Sequence, residues 1–394
     1  YDPRLEPGVI QSGAMRMLVL GAGRMGLGAV FDLASQPDVT KVTVADMDAQ
    51  KAREVAQRVG SKVEAVALDV SDQVAVVDLM RGHAATLSCV VYRLNESLAR
   101  AAIEAGSHFC DLGGNNDVVD AELALDPLAR ERGVNVIPDC GLAPGMVSLL
   151  VAYAAAKFDT TTDIRIRVGG LPLDPKPPLD YQIVFSVEGL INEYVEHARV
   201  IREGELLTVP SMTEIEHLRF PEPFGRMEAF QTSGGTSTLP ETFKGRVKNL
   251  DYKTIRYLGH CEKFKTMIDL GLCSSEPIAV DGVNVVPRRV FGETLLRNLP
   301  GEGPDVVLVR VEVEGSRGGE SQMVRLDIID RYDEKTGLSA MMRTTAFPAA
   351  IVALMMARGQ ATRTGAHPQE RCLPPDVFMR ELAARNIEVN ESWH

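Results

Sequence analysis

Between about residues 15 and 138 the chain alternates short apolar runs with longer amphipathic ones. The runs at 17–20, 41–45, 63–68, 87–91, 108–111 and 134–138 are short and largely apolar, and they read as strands. The stretches 27–35, 72–82 and 96–106 carry apolar residues at helical spacing, and a further helix fits between the last two strands. Strands alternating with helices of roughly ten residues predict a doubly wound parallel sheet, placed here at residues 15–145.

Beyond residue 163 the rhythm changes. Runs at 164–168, 181–185, 199–209, 253–257, 306–313, 323–331 and 339–345 read as strands, several alternating polar with apolar positions. That alternation predicts an antiparallel sheet with one wet face. The segments 306–314 and 321–332, joined through Gly315, Gly318 and Gly319, read as a hairpin. Helices follow near 348–358 and 375–385. The predicted fold class is therefore α/β: a Rossmann-type doubly wound parallel sheet with a second α+β domain, 146–345, built on a mostly antiparallel sheet.

The first strand ends in a GxGxxG pattern, Gly21, Gly23 and Gly26, and Asp46 closes the second strand twenty residues after Gly26. Gly21 permits the tight turn, Gly23 lets backbone approach a pyrophosphate, and Gly26 lets helix pack on strand. Arg24 and Met25 lie in the same loop, just ahead of the predicted helix, where backbone N–H groups meet phosphate. A Gly-rich surface turn is the alternative, but the strand before and the helix after the motif favour a dinucleotide. Asp46 is placed to bind ribose hydroxyls. It is followed by Met47 and Asp48 rather than arginine, so NAD is expected over NADP. The plainer reading is a helix cap at Asp46 or Asp48. Asp69 and Val70 end the third strand, on the adenine side of such a site, although Asp69 also suits a loop cap.

Ligands of open α/β sheets bind at the carboxyl ends of strands. That position singles out Tyr92 and Asn95, then Asp111, Gly113 and Gly114, then Asp139 and Gly141. The glycines allow close approach to a ring such as nicotinamide; tight turns without a ligand are the alternative.

At 394 residues the chain is long enough for two domains. Hydrophobic residues at 45% and charged residues at 24% are ordinary for a globular enzyme. A net charge of −12 argues against nucleic acid and anionic membranes as partners. No apolar run reads as a membrane span, and a cytoplasmic location is expected. Six cysteines without a CxxC pair read as reduced thiols, and seven scattered histidines without HExxH predict no metal. Residues 1–14 precede the first strand and read as an extension.

Several blocks go beyond any dinucleotide fold. They are Gly-Leu-Ala-Pro-Gly-Met at 141–146, Val-Gly-Gly-Leu-Pro at 168–172, and Thr-Ser-Gly-Gly-Thr-Ser-Thr-Leu at 232–239. With them come Tyr181, Glu228-Ala-Phe230 and Tyr-Lys-Thr-Ile-Arg-Tyr at 252–257. In these the chain resembles the lysine 6-dehydrogenases of the saccharopine dehydrogenase (glutamate-forming) superfamily. It departs at Ser148, where the family often carries asparagine, and at Val91, where saccharopine reductases have proline. The resemblance implies NAD-dependent oxidative deamination of the L-lysine side-chain amine. The 6-semialdehyde product would cyclise to 1-piperideine-6-carboxylate. It also implies that residues 346–394 return to the nucleotide domain and that 146–345 binds substrate, and the exposed-edge hairpins of that domain suggest a homo-oligomer, dimer or tetramer.

Such chemistry makes specific demands. The ε-ammonium, with a reference pKa of about 10.4, must lose a proton before hydride leaves its carbon. Asp111 is the first candidate base, with Asp117 and Asp139 as alternates; capping is the plain reading of each. The α-carboxylate calls for a cation. Arg256 is the candidate, with an internal salt bridge as the alternative. Thr236, Ser237 and Thr238 offer hydroxyls, and Phe185 an apolar wall for the substrate stem, or simply core. Tyr92 is placed to donate to the nitrogen or a water, or to pack beneath nicotinamide. His260 reads as a pocket group or a helix cap. Two other readings stay open: a secondary-amine oxidoreductase of the saccharopine or carboxynorspermidine type working with NADPH, and a non-catalytic dinucleotide scaffold.

Overall fold

The structure, a computed structural model, describes residues 15–184, 186–301 and 303–394. The extension at 1–14 and Phe185 lie outside the described residues. The chain divides into two units. The first runs to Cys140 and resumes over Ala346–Pro374; the second is Gly141–Thr345 with Pro375–His394.

In the first unit β1 (Met15–Leu20), β2 (Val39–Asp46), β3 (Val63–Ala67), β4 (Ala85–Ser88), β5 (His108–Asp111) and β6 (Asn135–Ile137) pair in parallel, in the order 6-5-4-1-2-3. That is the doubly wound order. A short strand, Gly365–Ala366, extends the sheet beyond β6. The helices are α1 (Arg24–Ser35), α2 (Ala49–Val59), α3 (Gln73–Met80), α4 (Asn95–Ala105), α5 (Asn116–Leu123) and α6 (Asp126–Arg132). Met17 to Leu20 are all fully buried, as a central parallel strand covered on both faces requires. Leu18, Leu20, Val76, Met80, Leu98, Ala102, Phe109 and Val136 form one core. Helix starts follow their caps. Asp48 accepts from Gln50 and Lys51 N–H at α2, Asp72 from Ala75 at α3, and Asn115 from Asp117 and Val118 at α5.

The second unit contains α7 (Val147–Ala155), β7 (Thr160–Pro172), α8 (Val187–Val195), β8 (Ala198–Arg202), β9 (Glu205–Val209), β10 (Glu216–Arg219) and β11 (Arg226–Gln231). There follow α9 (Leu239–Phe243), β12 (Asn249–Arg256), α10 (His260–Asp269), β13 (Ile278–Val280), β14 (Val283–Val285) and α11 (Pro287–Asn298). The unit's long hairpin is β15 (Asp305–Arg317) and β16 (Glu320–Arg331), and α12 (Ala340–Ala357) crosses into the first unit. The main sheet runs 10-11-12-7-15-16 and is antiparallel except between β7 and β12. The β15–β16 hairpin pairs Val306 with Arg331 through to Arg317 with Glu320, in the predicted place.

Several expectations need correction. Residues 181–184 form no strand. The run 199–209 is two strands, β8 and β9, turning at Glu203 and Gly204, whose φ values are 50° and 85°. Residues 340–345, expected in a strand, open α12 instead. The Asp305 carboxylate caps that helix, accepting from Ala340 N–H at 2.7 Å and Met341 N–H at 2.9 Å. A cap supplied from 35 residues upstream leaves no mark in the local pattern. The C-terminus was expected to return whole to the nucleotide domain. Residues 390–393 instead add an edge strand to β16, in the second unit. Finally, α12 has the 18-residue length and apolar composition of a membrane span, which the sequence reading overlooked. Of that stretch 83% is buried within the protein, as for a core helix.

Candidate functional site

The three motif glycines do three different things. Gly21 sits at φ +98° and donates to Ala45 O at 2.7 Å; a Cβ on it would lie 2.9 Å from Cys89 O. A Cβ on Gly26 would lie 1.9 Å from Gly21 O, so α1 can lie against the turn only with glycine there. A Cβ on Gly23 would meet nothing within 4 Å. Gly23 is therefore not required by the fold. It leaves open the mouth of a helix whose first turn, with Arg24 exposed and Met25 half-buried, carries no acidic side chain. That cradle fits a pyrophosphate.

Asp46 is half-buried at the end of β2. Its Oδ2 accepts from Ala22 N–H at 2.7 Å and its Oδ1 from Asp48 N–H at 2.8 Å. The α2 cap is Asp48, which leaves Asp46 tying the strand end to the glycine loop. Asp69 is exposed and accepts from the Ser71 N–H and hydroxyl at 2.9 and 2.7 Å, a local turn that holds its carboxyl below the usual range. Val70 packs on the core, and buried Asn95 accepts from the Ser88 hydroxyl at 2.8 Å, joining β4 to α4.

At the end of β5 the polar groups are buried. Asp111 is wholly enclosed; its Oδ1 accepts from Gly113 N–H at 2.6 Å and Asp139 N–H at 3.3 Å. Gly113, at φ +75°, comes so close to Asp139 that a Cβ would lie 1.7 Å from its Oδ1. The Tyr92 ring lies 3.0–3.2 Å from where a Gly114 Cβ would be, so the ring rests on that glycine. Asp139 is buried, whereas Asp117 is exposed in the first turn of α5. Burial raises the Asp111 carboxyl above its ordinary range, and burial with nearby negative charge pushes Glu122 of α5 up to about 11. Burial likewise keeps the Cys140 thiol protonated, so no thiolate nucleophile stands here.

In the second unit a buried box surrounds Arg256, the last residue of β12. Its Nε donates to Tyr194 Oη at 2.8 Å and its Nη1 to Ile255 O at 2.9 Å, and its guanidinium lies 4.9 Å from the Tyr181 ring centre. Tyr194 Oη also lies 3.1 Å from His260 Nε2, while His260 Nδ1 lies 2.9 Å from Leu179 O. A carbonyl only accepts, so Nδ1 carries the proton and the tyrosine hydroxyl donates to Nε2. Burial and the adjacent Arg256 push the imidazole down to about 3, leaving it neutral. Burial raises Glu193, opposed by Arg256, to about 7, and raises Tyr181 to about 12. The structure thus unites Arg256 and His260 through Tyr194. Tyr194 and Glu193 have no role in the sequence reading, and nothing in α8, which also carries Glu188 and Asn192, distinguishes them.

Thr236 donates to Arg199 O at 3.2 Å, Ser237 is buried at φ 41°, and Thr238 caps α9 with its backbone. Neighbouring Gly235 admits the Tyr252 ring, which a Cβ would approach to 2.5 Å. Gly141 is buried and opens the second unit; its carbonyl accepts from Met146 N–H at 2.7 Å. Among the described residues no group of histidine, cysteine and carboxylate side chains is arranged to hold a metal.

Two family descriptions match the chain. The saccharopine dehydrogenase NADP binding domain covers residues 17–137, and the saccharopine dehydrogenase C-terminal domain covers 141–387. The chain is 24% identical over 271 residues to saccharopine dehydrogenase [NADP(+), L-glutamate-forming] of Saccharomyces cerevisiae, a match covering 66% of this chain and 59% of that protein. It is 22% identical to carboxyaminopropylagmatine dehydrogenase of Synechocystis, over 96% of this chain and 97% of that one. Carboxynorspermidine synthase of Vibrio cholerae matches at 23% identity over 93% and 94%. The structure of the yeast saccharopine dehydrogenase superposes with a TM-score of 0.79 at 20% identity, over 97% of this chain and 100% of that chain, which shows a shared fold. A dinucleotide-binding first domain and a C-terminal domain meeting at residues 137–141 leave one assignment: the chain belongs to the saccharopine dehydrogenase family, whose relatives here are amine oxidoreductases.

Proposed function

We propose that the protein is an NAD-dependent amine dehydrogenase that oxidatively deaminates the side chain of L-lysine, giving the semialdehyde that closes to 1-piperideine-6-carboxylate. The observation that carries this reading is Arg256. It is a permanent cation, 2% exposed and walled by Tyr181 and Tyr194, and such a group suits the one carboxylate of a simple amino acid. Asp46, followed by Met47 and Asp48, supports NAD, because a 2′-phosphate there would face carboxylates and no guanidinium.

When bound, the dinucleotide supplies the hydride acceptor. The chain supplies the rest. Asp111 is assigned the proton from the substrate ammonium; being enclosed, it would receive that proton through a relay, for which the Tyr92 hydroxyl, its ring resting on Gly114, is the candidate. Arg256 holds the carboxylate. Neutral His260 acts through Tyr194, fixing the direction of the hydroxyl that Arg256 also contacts. A homo-oligomer belongs to the proposal as well. The β13–β14 hairpin forms a sheet of its own, exposing Ile278, Val280 and Val283, and a lone two-stranded hairpin is marginal in water.

A second reading has its own support. The relatives are named for saccharopine and carboxynorspermidine chemistry, and the first domain matches an NADP binding description. One assay separates the two. NADH absorbance is followed with L-lysine at alkaline pH, with NAD⁺ and NADP⁺ in parallel and a reagent that traps cyclic imines. Lysine-dependent NADH with a trapped imine supports the first reading. Turnover only with NADP⁺ and a secondary amine supports the second, and dinucleotide binding without any turnover supports a scaffold.

A further inference from the structure

Glu122 lies on α5, in a chain whose other helical glutamates are mostly exposed, yet it is 0% exposed. Neither of its carboxyl oxygens has a hydrogen-bond donor, and neither does Asp111 Oδ2, although the two carboxyls lie within bonding reach of each other. Drawn as two carboxylates, this arrangement sets acceptor against acceptor out of water, which is strongly unfavourable for each unpaired buried charge. One proton between them turns the clash into a charge-assisted hydrogen bond. The two sides are not equivalent. Asp111 Oδ1 already accepts two backbone N–H groups, which favours its charged form, while Glu122 has no donor at all.

The surrounding charges point the same way. Asp111 on β5, Asp139 after β6 and Glu96 on α4 all act on Glu122, and all are acidic. Cys89 and Cys140, beside Asp111, are thiols that burial and the carboxylates hold protonated. We propose that Asp111 and Glu122 share one proton, carried by Glu122 and donated to Asp111 Oδ2, so that Glu122 is the positioning residue that keeps Asp111 an anionic acceptor. The enzymatic part of this rests on the reading of Asp111 as base. When a substrate N–H bond breaks, its electron pair stays on nitrogen and its proton reaches Asp111. The pair then goes from one proton to two and from one negative charge to none.

The test has two arms on the full chain. The first is the infrared carboxylic-acid C=O band at pH 9 without substrate, taken as a difference between wild type and E122Q. The expected result is a protonated-acid band in wild type that is lost in E122Q and kept, though moved, in D111N. Absence of the band in wild type, or its loss in D111N with survival in E122Q, overturns the proposal. The second arm is the pH profile of kcat/KM. E122Q keeps a donor, whereas E122L removes it and moves the acidic limb upward by about one pH unit or more, a tenfold loss at a pH below the limb. A uniform loss with an unmoved limb would mean a structural role only and would overturn the positioning role. Should E122L not fold, the infrared arm still decides. Wild type with the band but no amine turnover would refute the reaction reading and leave the shared proton standing.

Discussion

The proton on Glu122 should be visible in stability as well as in a spectrum. The ordinary Glu122 pKa is 4.5, and in the folded chain it is pushed up to about 11. Between those values the folded protein holds one proton that the unfolded chain has released. Stability therefore falls as pH rises across that window, the reverse of a salt-bridged carboxylate. One bound proton corresponds to about 1.4 kcal/mol per pH unit, so roughly 4 kcal/mol from pH 6 to pH 9 is the ceiling. Relaxation of the pocket and entry of water reduce it to about half. Substituting glutamine keeps the donor to Asp111 and removes the titration. The difference between E122Q and wild type should thus be small near pH 5 and grow in favour of E122Q by about 0.5–1.4 kcal/mol per unit. Urea titrations read by hydrogen exchange of β5 amides isolate the first unit. A difference that stays constant from pH 6 to 9 would refute the shared proton, because every other titrating group is common to both proteins.

Three further outcomes follow from the site geometry. Gly23→Ala leaves folding intact, since a Cβ there meets nothing within 4 Å, yet weakens dinucleotide binding at least tenfold; Gly26→Ala, 1.9 Å from Gly21 O, lowers the melting temperature as well. Calorimetric binding with thermal melts separates the two, and equal effects at both positions would remove the assigned roles. Arg256→Ala raises KM for lysine far more than for an alkyl amine without a carboxylate, and costs about 1–3 kcal/mol by removing the donor to Tyr194 Oη, which keeps only its bond to His260. Equal KM changes would end its carboxylate role. His260, held near 3, shows no imidazole titration from pH 5 to 8 by NMR; a midpoint near 6.5 would mean that the Tyr194–His260 hydrogen bond is drawn wrongly.

What could be read from the sequence follows how far each cause reaches along the chain. Gly21, Gly23 and Gly26 fall within six residues at the end of the apolar run that forms β1, so the first domain and its cradle were legible, even though the backbone that requires glycine at 21, Cys89 O, lies 68 residues on. Arg256 and His260 were also singled out, but the hydroxyl that joins them comes from Tyr194, 62 and 66 residues away, and nothing in the local pattern of α8 marks it. The α12 start, read as a strand, depends on Asp305, which no window around 340–345 contains. Glu122 is the sharpest instance. On a helix wheel it is one more charged residue in an amphipathic stretch, yet it is buried beside Asp111, Asp139 and Glu96, all acidic. A glutamate so placed costs folding energy at neutral pH in proportion to its raised proton affinity. Glutamine at that position would keep a donor to Asp111 and fold at least as well, so a purely structural account gives Glu122 no reason to be acidic. A proton shared with Asp111 gives it one, and makes the least legible residue of the first domain the one whose substitution tests the site most directly.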